Sequence, residues 1–165
     1  MKPSYVLSVV VILVFAGIMY SQIAPSFVGT WRLVSIKAKY ESGEIHNAFG
    51  EAPIGQIVYG KDGKMSVFVV QADRSPFASG DMRGGTDAEV RAAFEGFLGY
   101  YGTYTVDADK GFVTHHIKGS CMPNWVGQDQ IRYYRFEGSH LFLTSPTLSL
   151  GGKRCELIVD WERAQ

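Results

Sequence analysis

From Phe27 to Arg163 the chain alternates apolar and polar residues with a period of two, and glycine-containing turns break the pattern at intervals. Successive side chains of a β-strand point to opposite faces, so this period predicts strands with one buried face. Eight such stretches occur: Gly29–Tyr40, Gly55–Tyr59, Lys64–Val70, Tyr101–Val106, Phe112–Ile117, Gln130–Phe136, His140–Thr144 and Arg154–Arg163. Lys61-Asp62-Gly63, Asp107 to Gly111 and Glu137-Gly138-Ser139 separate neighbouring pairs as hairpin turns. Strands in such a meander hide their edges by closing on themselves, which predicts an all-β, eight-stranded, antiparallel up-and-down barrel. An interior of that size holds side chains or one small ligand.

Two stretches depart from the period of two. Thr86-Asp-Ala-Glu89 forms a capping box, and Val90, Phe94, Phe97, Leu98 and Tyr101 follow at helical spacing. Together they predict one mid-chain helix, Asp87–Tyr100, packed on an end of the barrel. A long segment poor in strand formers, Ala72 to Gly85, leads into it, and loops of that length are often functional. The second departure is the apolar run from Tyr5 to Ala24, behind Lys2 and interrupted only by Ser21 and Gln22. With no polar face, it predicts an apolar helix that is either a signal peptide or a membrane anchor, at a length that suits both. The division is therefore 1–24 as signal or anchor and 25–165 as one domain. Either form exports the domain, leaving it periplasmic, secreted or anchored outside the cytoplasm, with membrane contact through residues 5–24 if they are not removed.

Charge narrows the partners. The chain carries 16 basic and 16 acidic residues, and setting Lys2 aside leaves the domain at about −1. No basic stripe is present, so nucleic acid is not an expected partner. The two cysteines, Cys121 and Cys155, could bridge in an oxidising compartment. They would lie at one end of the barrel but three strands apart, and bridging needs Cα atoms within about 7 Å. The four histidines lack zinc spacing, so no metal is expected. There is no nucleophile elbow, phosphate loop or dinucleotide fingerprint, and no cofactor is expected.

Gly29-Thr30-Trp31, at the start of the first strand, resembles the lipocalin signature. The resemblance implies that Trp31 closes the barrel floor and that Arg163 lies across the indole, with Gly29 a structural residue of the same motif. Phe77-Ala-Ser-Gly-Asp81, Tyr101-Gly-Thr-Tyr104, Val113-Thr-His-His116 and Pro123-Asn-Trp-Val-Gly127 are similar to the bacterial and fungal lipocalin-like domain family, in the same order, from about Val28 to Arg163. The chain departs from ordinary lipocalins in its mid-chain helix and in lacking a C-terminal one. The family implies a barrel with a pocket, and its relatives are attached to secondary metabolism.

Strand parity sorts the candidate ligand-binding residues. His115 shares a face with Val113 and Ile117, which places it inside and His116 outside. Apolar neighbours such as Leu33, Val67, Val69, Leu157 and Val159 would keep its imidazole neutral at pH 7, either as a ligand-holding group or as a hydrogen-bonded structural residue. Asn124 and Trp125, just after the fifth strand, sit beside the mouth, where an indole can stack on a ligand or cap the rim. Arg132 and Arg135 take opposite faces, and an inward arginine points to an anionic group on the ligand. Tyr101, Tyr104, Tyr133 and Tyr134 offer hydroxyls, though tyrosine is also ordinary in strands. Three functions fit: an exported protein that binds a small apolar molecule in the barrel, a cofactor-independent isomerase or cyclase acting on a lipophilic metabolite in the same pocket, or a scaffold subunit of a membrane complex.

Overall fold

A computed structural model of the chain describes residues 26–164. It contains β1 (Gly29–Tyr40), β2 (Ile45–Asn47), β3 (Ile54–Tyr59), β4 (Lys64–Val70), α1 (Asp87–Glu95), β5 (Phe97–Asp107), β6 (Phe112–Ser120), a 3-10 turn (Pro123–Trp125), β7 (Asp129–Glu137), β8 (His140–Thr144), β9 (Leu148–Leu150) and β10 (Lys153–Arg163). Every strand pairing is antiparallel, and β1 with β10 closes the sheet. The closed ring has eight members: β1, β3, β4, β5, β6, β7, β8 and β10. The described residues hold two strands more than the sequence pattern indicates. Each is a three-residue piece: β2 lies beside the upper part of β1, and β9 beside the start of β10.

The two ends of the barrel differ. The tight turns after β3, β5 and β7 all lie at the end where β1 begins and β10 finishes, called the floor here. The longer connections, including α1, the 3-10 turn and β9, gather at the opposite mouth. Above Tyr133, β7 has no partner on its β8 side, because β8 ends at Thr144. The core is one cluster on the inner face, with Trp31, Ile57, Tyr59, Val69, Val113 and Leu141 almost wholly buried. A smaller cluster of Ala38, Cys155 and Leu157 sits towards the mouth.

The helix is shorter than its spacing predicts. Thr86 caps it and Glu89 reaches back to the Thr86 amide, completing the capping box. It stops at Glu95, and the Gly96 N–H closes the last turn on the Ala92 and Phe94 carbonyls. From Phe97 onward the backbone pairs with β4, Phe97 opposite Val70 and Tyr101 opposite Ser66. Phe97, Leu98 and Tyr101 fit a helical spacing, but Leu98 and Tyr100 also fit a period of two, and a ladder on both sides outweighs i,i+4 contacts. Val90 and Phe94 stay about half exposed. A bulge between Tyr101 and Gly102 shifts the β5–β6 register, and the backbones approach so closely there that a Cβ on Gly102 would lie 1.9 Å from the His116 carbonyl oxygen. The expected apolar helix over residues 5–24 lies outside the described residues. No helix among the described residues is long and apolar enough to cross a membrane.

Candidate ligand site in the barrel

A concave pocket of about 330 Å³ opens at the mouth. Its walls come from five separate segments: Phe49 after β2, Phe94 on α1, Leu98 on β5, Leu157 on β10 and Leu148 on β9. Trp125, on the 3-10 turn, completes the wall, with Asn124 and Ser149 as its polar members. The volume lies at the lower end of the usual range for small-molecule sites, and a mostly apolar lining with a few polar groups is their common make-up. Asn124 and Trp125 therefore stand at this pocket, and the Trp125 ring meets the edge of Tyr100 at 5.6 Å between centroids.

Below the pocket lies a buried polar cluster. His115 is fully enclosed, with the Tyr59 hydroxyl 2.7 Å from its Nε2 and the Tyr100 hydroxyl 3.0 Å from its Nδ1. Burial, reinforced by the nearby Arg132 charge, holds the imidazole pKa well below its ordinary value, so His115 is neutral at pH 7. Burial likewise raises both phenols, well above the ordinary value for Tyr59, and Arg132 opposes the rise at each. Arg132 faces inward and is 7% exposed. The ring partners of His115 are thus tyrosine hydroxyls, where apolar side chains were expected. Tyr59 shares the inward face of β3 with Ile57, and Tyr100 that of β5 with Leu98.

The remaining candidates divide by strand face. His116 is outside, its Nδ1 2.6 Å from the Asp129 carboxylate and its Nε2 3.0 Å from the Thr105 hydroxyl. Tyr133 also lies outside, half exposed and edge-on to Phe112, because neighbours on one strand cannot both face in and Arg132 takes the inner side. Tyr101 is exposed, whereas Tyr134 packs against Phe27. Tyr104 packs against Tyr59, with its hydroxyl donated to the Gly60 carbonyl near the floor. Cys121 and Cys155 are both free thiols and no bridge joins them. Cys121 takes the Gly99 N–H and Cys155 lies in the mouth-side cluster, where burial pushes its thiol up. Among the described residues no group of His, Cys, Asp and Glu could hold a metal.

The floor carries the features that decide kinship. Trp31 is 1% exposed, its Nε1 donates to the Phe27 carbonyl at 2.8 Å, and the Arg163 guanidinium lies 4.1 Å over its ring. Gly29 has φ +137°, and a Cβ there would come within 2.8 Å of Arg163 Nη1. Phe27 plugs the centre, edge-on to Tyr59, Tyr134 and Phe136. A family model described as a lipocalin-like domain matches residues 28–164. The chain belongs to the lipocalin-like domain family. It is also similar to the 4'-hydroxy-3'-methoxypropiophenone carrier protein of Aspergillus oryzae, with 27% identity over 106 residues, covering 60% of this chain and 96% of that protein.

Several residues of this lipocalin-like barrel's site lie beyond sequence reasoning. Phe49, Leu148 and Leu150 line the pocket from short or irregular segments that carry no periodic signal. Tyr100 was hidden inside the overlong helix. Tyr59 alone was within reach, since it sits two residues after Ile57 on an inward face.

Proposed function

We propose that this protein is a carrier for a small aromatic molecule bearing oxygen substituents, held at the barrel mouth. The observation that carries the reading is the mouth pocket, apolar, about 330 Å³, and set over a barrel plugged at its other end. The Trp125 ring offers a face for stacking, and Asn124 and Ser149 offer hydrogen bonds to a ketone or hydroxyl. The Aspergillus oryzae relative, a carrier named for an aryl ketone, supports that ligand class. Carriage rather than catalysis is favoured because both ring nitrogens of His115 are already taken by tyrosine hydroxyls.

Titration with 4'-hydroxy-3'-methoxypropiophenone, followed by tryptophan fluorescence, tests the proposal. Saturable quenching is expected, lost in large part in Trp125→Phe. Leu150→Asp, which puts a carboxylate on the apolar rim at a partly exposed position, should weaken binding by roughly tenfold or more. No saturation with the native protein, or equal affinity in Leu150→Asp, would remove the mouth pocket as the site.

We also propose that the carrier works outside the cytoplasm, on the strength of the apolar run Tyr5 to Ala24 behind Lys2. A β-lactamase fused after Gln165 should protect the host from ampicillin, and a fusion lacking residues 1–24 should not. Equal protection from the two would reject export by this segment.

A further inference from the structure

The hydrogen-bond ledger of the barrel interior does not balance, and the imbalance has one sign. Neutral imidazole has one N–H donor and one bare nitrogen. Tyr59 and Tyr100 occupy both positions on His115, so one hydroxyl donates to the bare nitrogen and the other accepts the ring N–H. The accepting hydroxyl then has a proton of its own to place, and the described residues offer no acceptor for it, since the other neighbour of Tyr100 is the Arg132 guanidinium, itself a donor. Trp161, on the inner face of β10, buries an Nε1–H with no acceptor. Arg132 donates from Nη1 to the Ile131 carbonyl at 2.7 Å and also engages the Tyr100 hydroxyl, which leaves part of its five-donor guanidinium without a partner among the described residues. Among the described residues the buried polar side chains are Thr114, His115, Arg132 and Ser145, with no carboxylate to balance the arginine. A buried charge without a counter-charge is expensive, and apolar side chains would fill the same space at lower cost. The interior therefore holds surplus donors and one surplus positive charge.

We propose that Arg132, together with the free hydroxyl of the Tyr59–His115–Tyr100 chain, forms an organic-oxyanion site that takes a phenolate, enolate or carboxylate oxygen of the bound ligand. This deepens the carrier reading and rests on it. The mouth pocket takes the apolar body, and Tyr100, in edge contact with Trp125 and two residues beyond the pocket-lining Leu98, is the side chain that stands between the pocket and the cluster. The flanking hydroxyl supplies the donor in either His115 tautomer, because one of the two tyrosine protons is always left over. The site binds anions without a proton leaving the protein.

Three probes of one skeleton test this: 4-methoxypropiophenone, which cannot ionise, 4-hydroxypropiophenone, and 4-propylbenzoate. The native protein should bind the two acids at least about tenfold tighter than the ether, as expected for one charge-assisted hydrogen bond. Bound 4-hydroxypropiophenone should show its red-shifted phenolate absorption at pH 6, where the free phenol is neutral. That readout needs no variant. Arg132→Met should abolish both the preference and the phenolate band while leaving affinity for the ether within about twofold. A phenolate band with no affinity for the benzoate would assign the site to phenols and enols, and the reverse to carboxylates. Either result supports an oxyanion site. Tight binding of the ether with no preference for the acids and no phenolate band would overturn this inference and leave the carrier reading intact. Failure of all three probes to bind the native protein would overturn both.

Discussion

His115 stays neutral because burial and the Arg132 charge both work against its protonation. An unfolded chain protonates the same ring near pH 6.5, and the folded one only far lower. Between those two values the unfolded state binds the extra proton, so the contribution of His115 to stability is lost as pH falls below about 6.5. The slope approaches about 1.4 kcal/mol per pH unit for one such group. Urea denaturation at pH 5 and pH 7 should show native stability dropping on acidification, and His115→Gln should drop less. Identical pH dependence in the two would mean that the ring titrates as it does in water. At this scale the sequence is informative but incomplete. Parity places His115 inside and His116 outside, yet it also forbids Arg132 and Tyr133 from sharing the cavity, and only burial shows that the arginine is the one within. An arginine inside a small barrel contradicts the usual preference for solvated arginine, which is why a local rule assigns it poorly.

Elements were legible where period and turn agree. The hairpins after β3, β5 and β7 follow from glycine-containing turns between alternating strands, and their registers are regular at the floor. Three-residue strands such as β2 and β9 carry too little pattern to be read, since their pairing is set by the neighbouring strand. The junction of α1 and β5 failed for another reason: Phe97, Leu98 and Tyr101 satisfy two periods at once, and only contact with β4 decides between them. The bulge in β5 provides a test of that junction. Gly102→Ala would drive a Cβ into the His116 carbonyl, backbone that cannot rotate away. It should cost about 3 kcal/mol or more in chemical denaturation. Gly111→Asn, at a turn with φ +70° and open space around it, should cost less than about 1 kcal/mol. Equal costs at the two positions would show that β5 and β6 do not approach this closely.

Over the whole molecule, closure depends on the meeting of the first and last strands. Arg163 joins them: it covers Trp31 and donates to the Val28 and Ser26 carbonyls, so one side chain from the end of the domain holds its beginning. Arg163→Ala should destabilise the barrel by about 1–2 kcal/mol, through the cation–π contact and the freed carbonyls. The melting temperature should fall by roughly 3–8 °C, with Arg163→Lys restoring only part, since an ammonium cannot fork between two carbonyls over a ring. An unchanged melting temperature would show that Phe27 alone seals the floor. The latch also sets an orientation. Ser26 leaves the barrel at the plugged end, and only Pro25 separates it from the apolar run that ends at Ala24. If that run stays in a bilayer, the protein is a cup on a very short stem, base to the lipid and rim to the water. In that arrangement the mouth pocket would open away from the bilayer, so a ligand would enter and leave it through water.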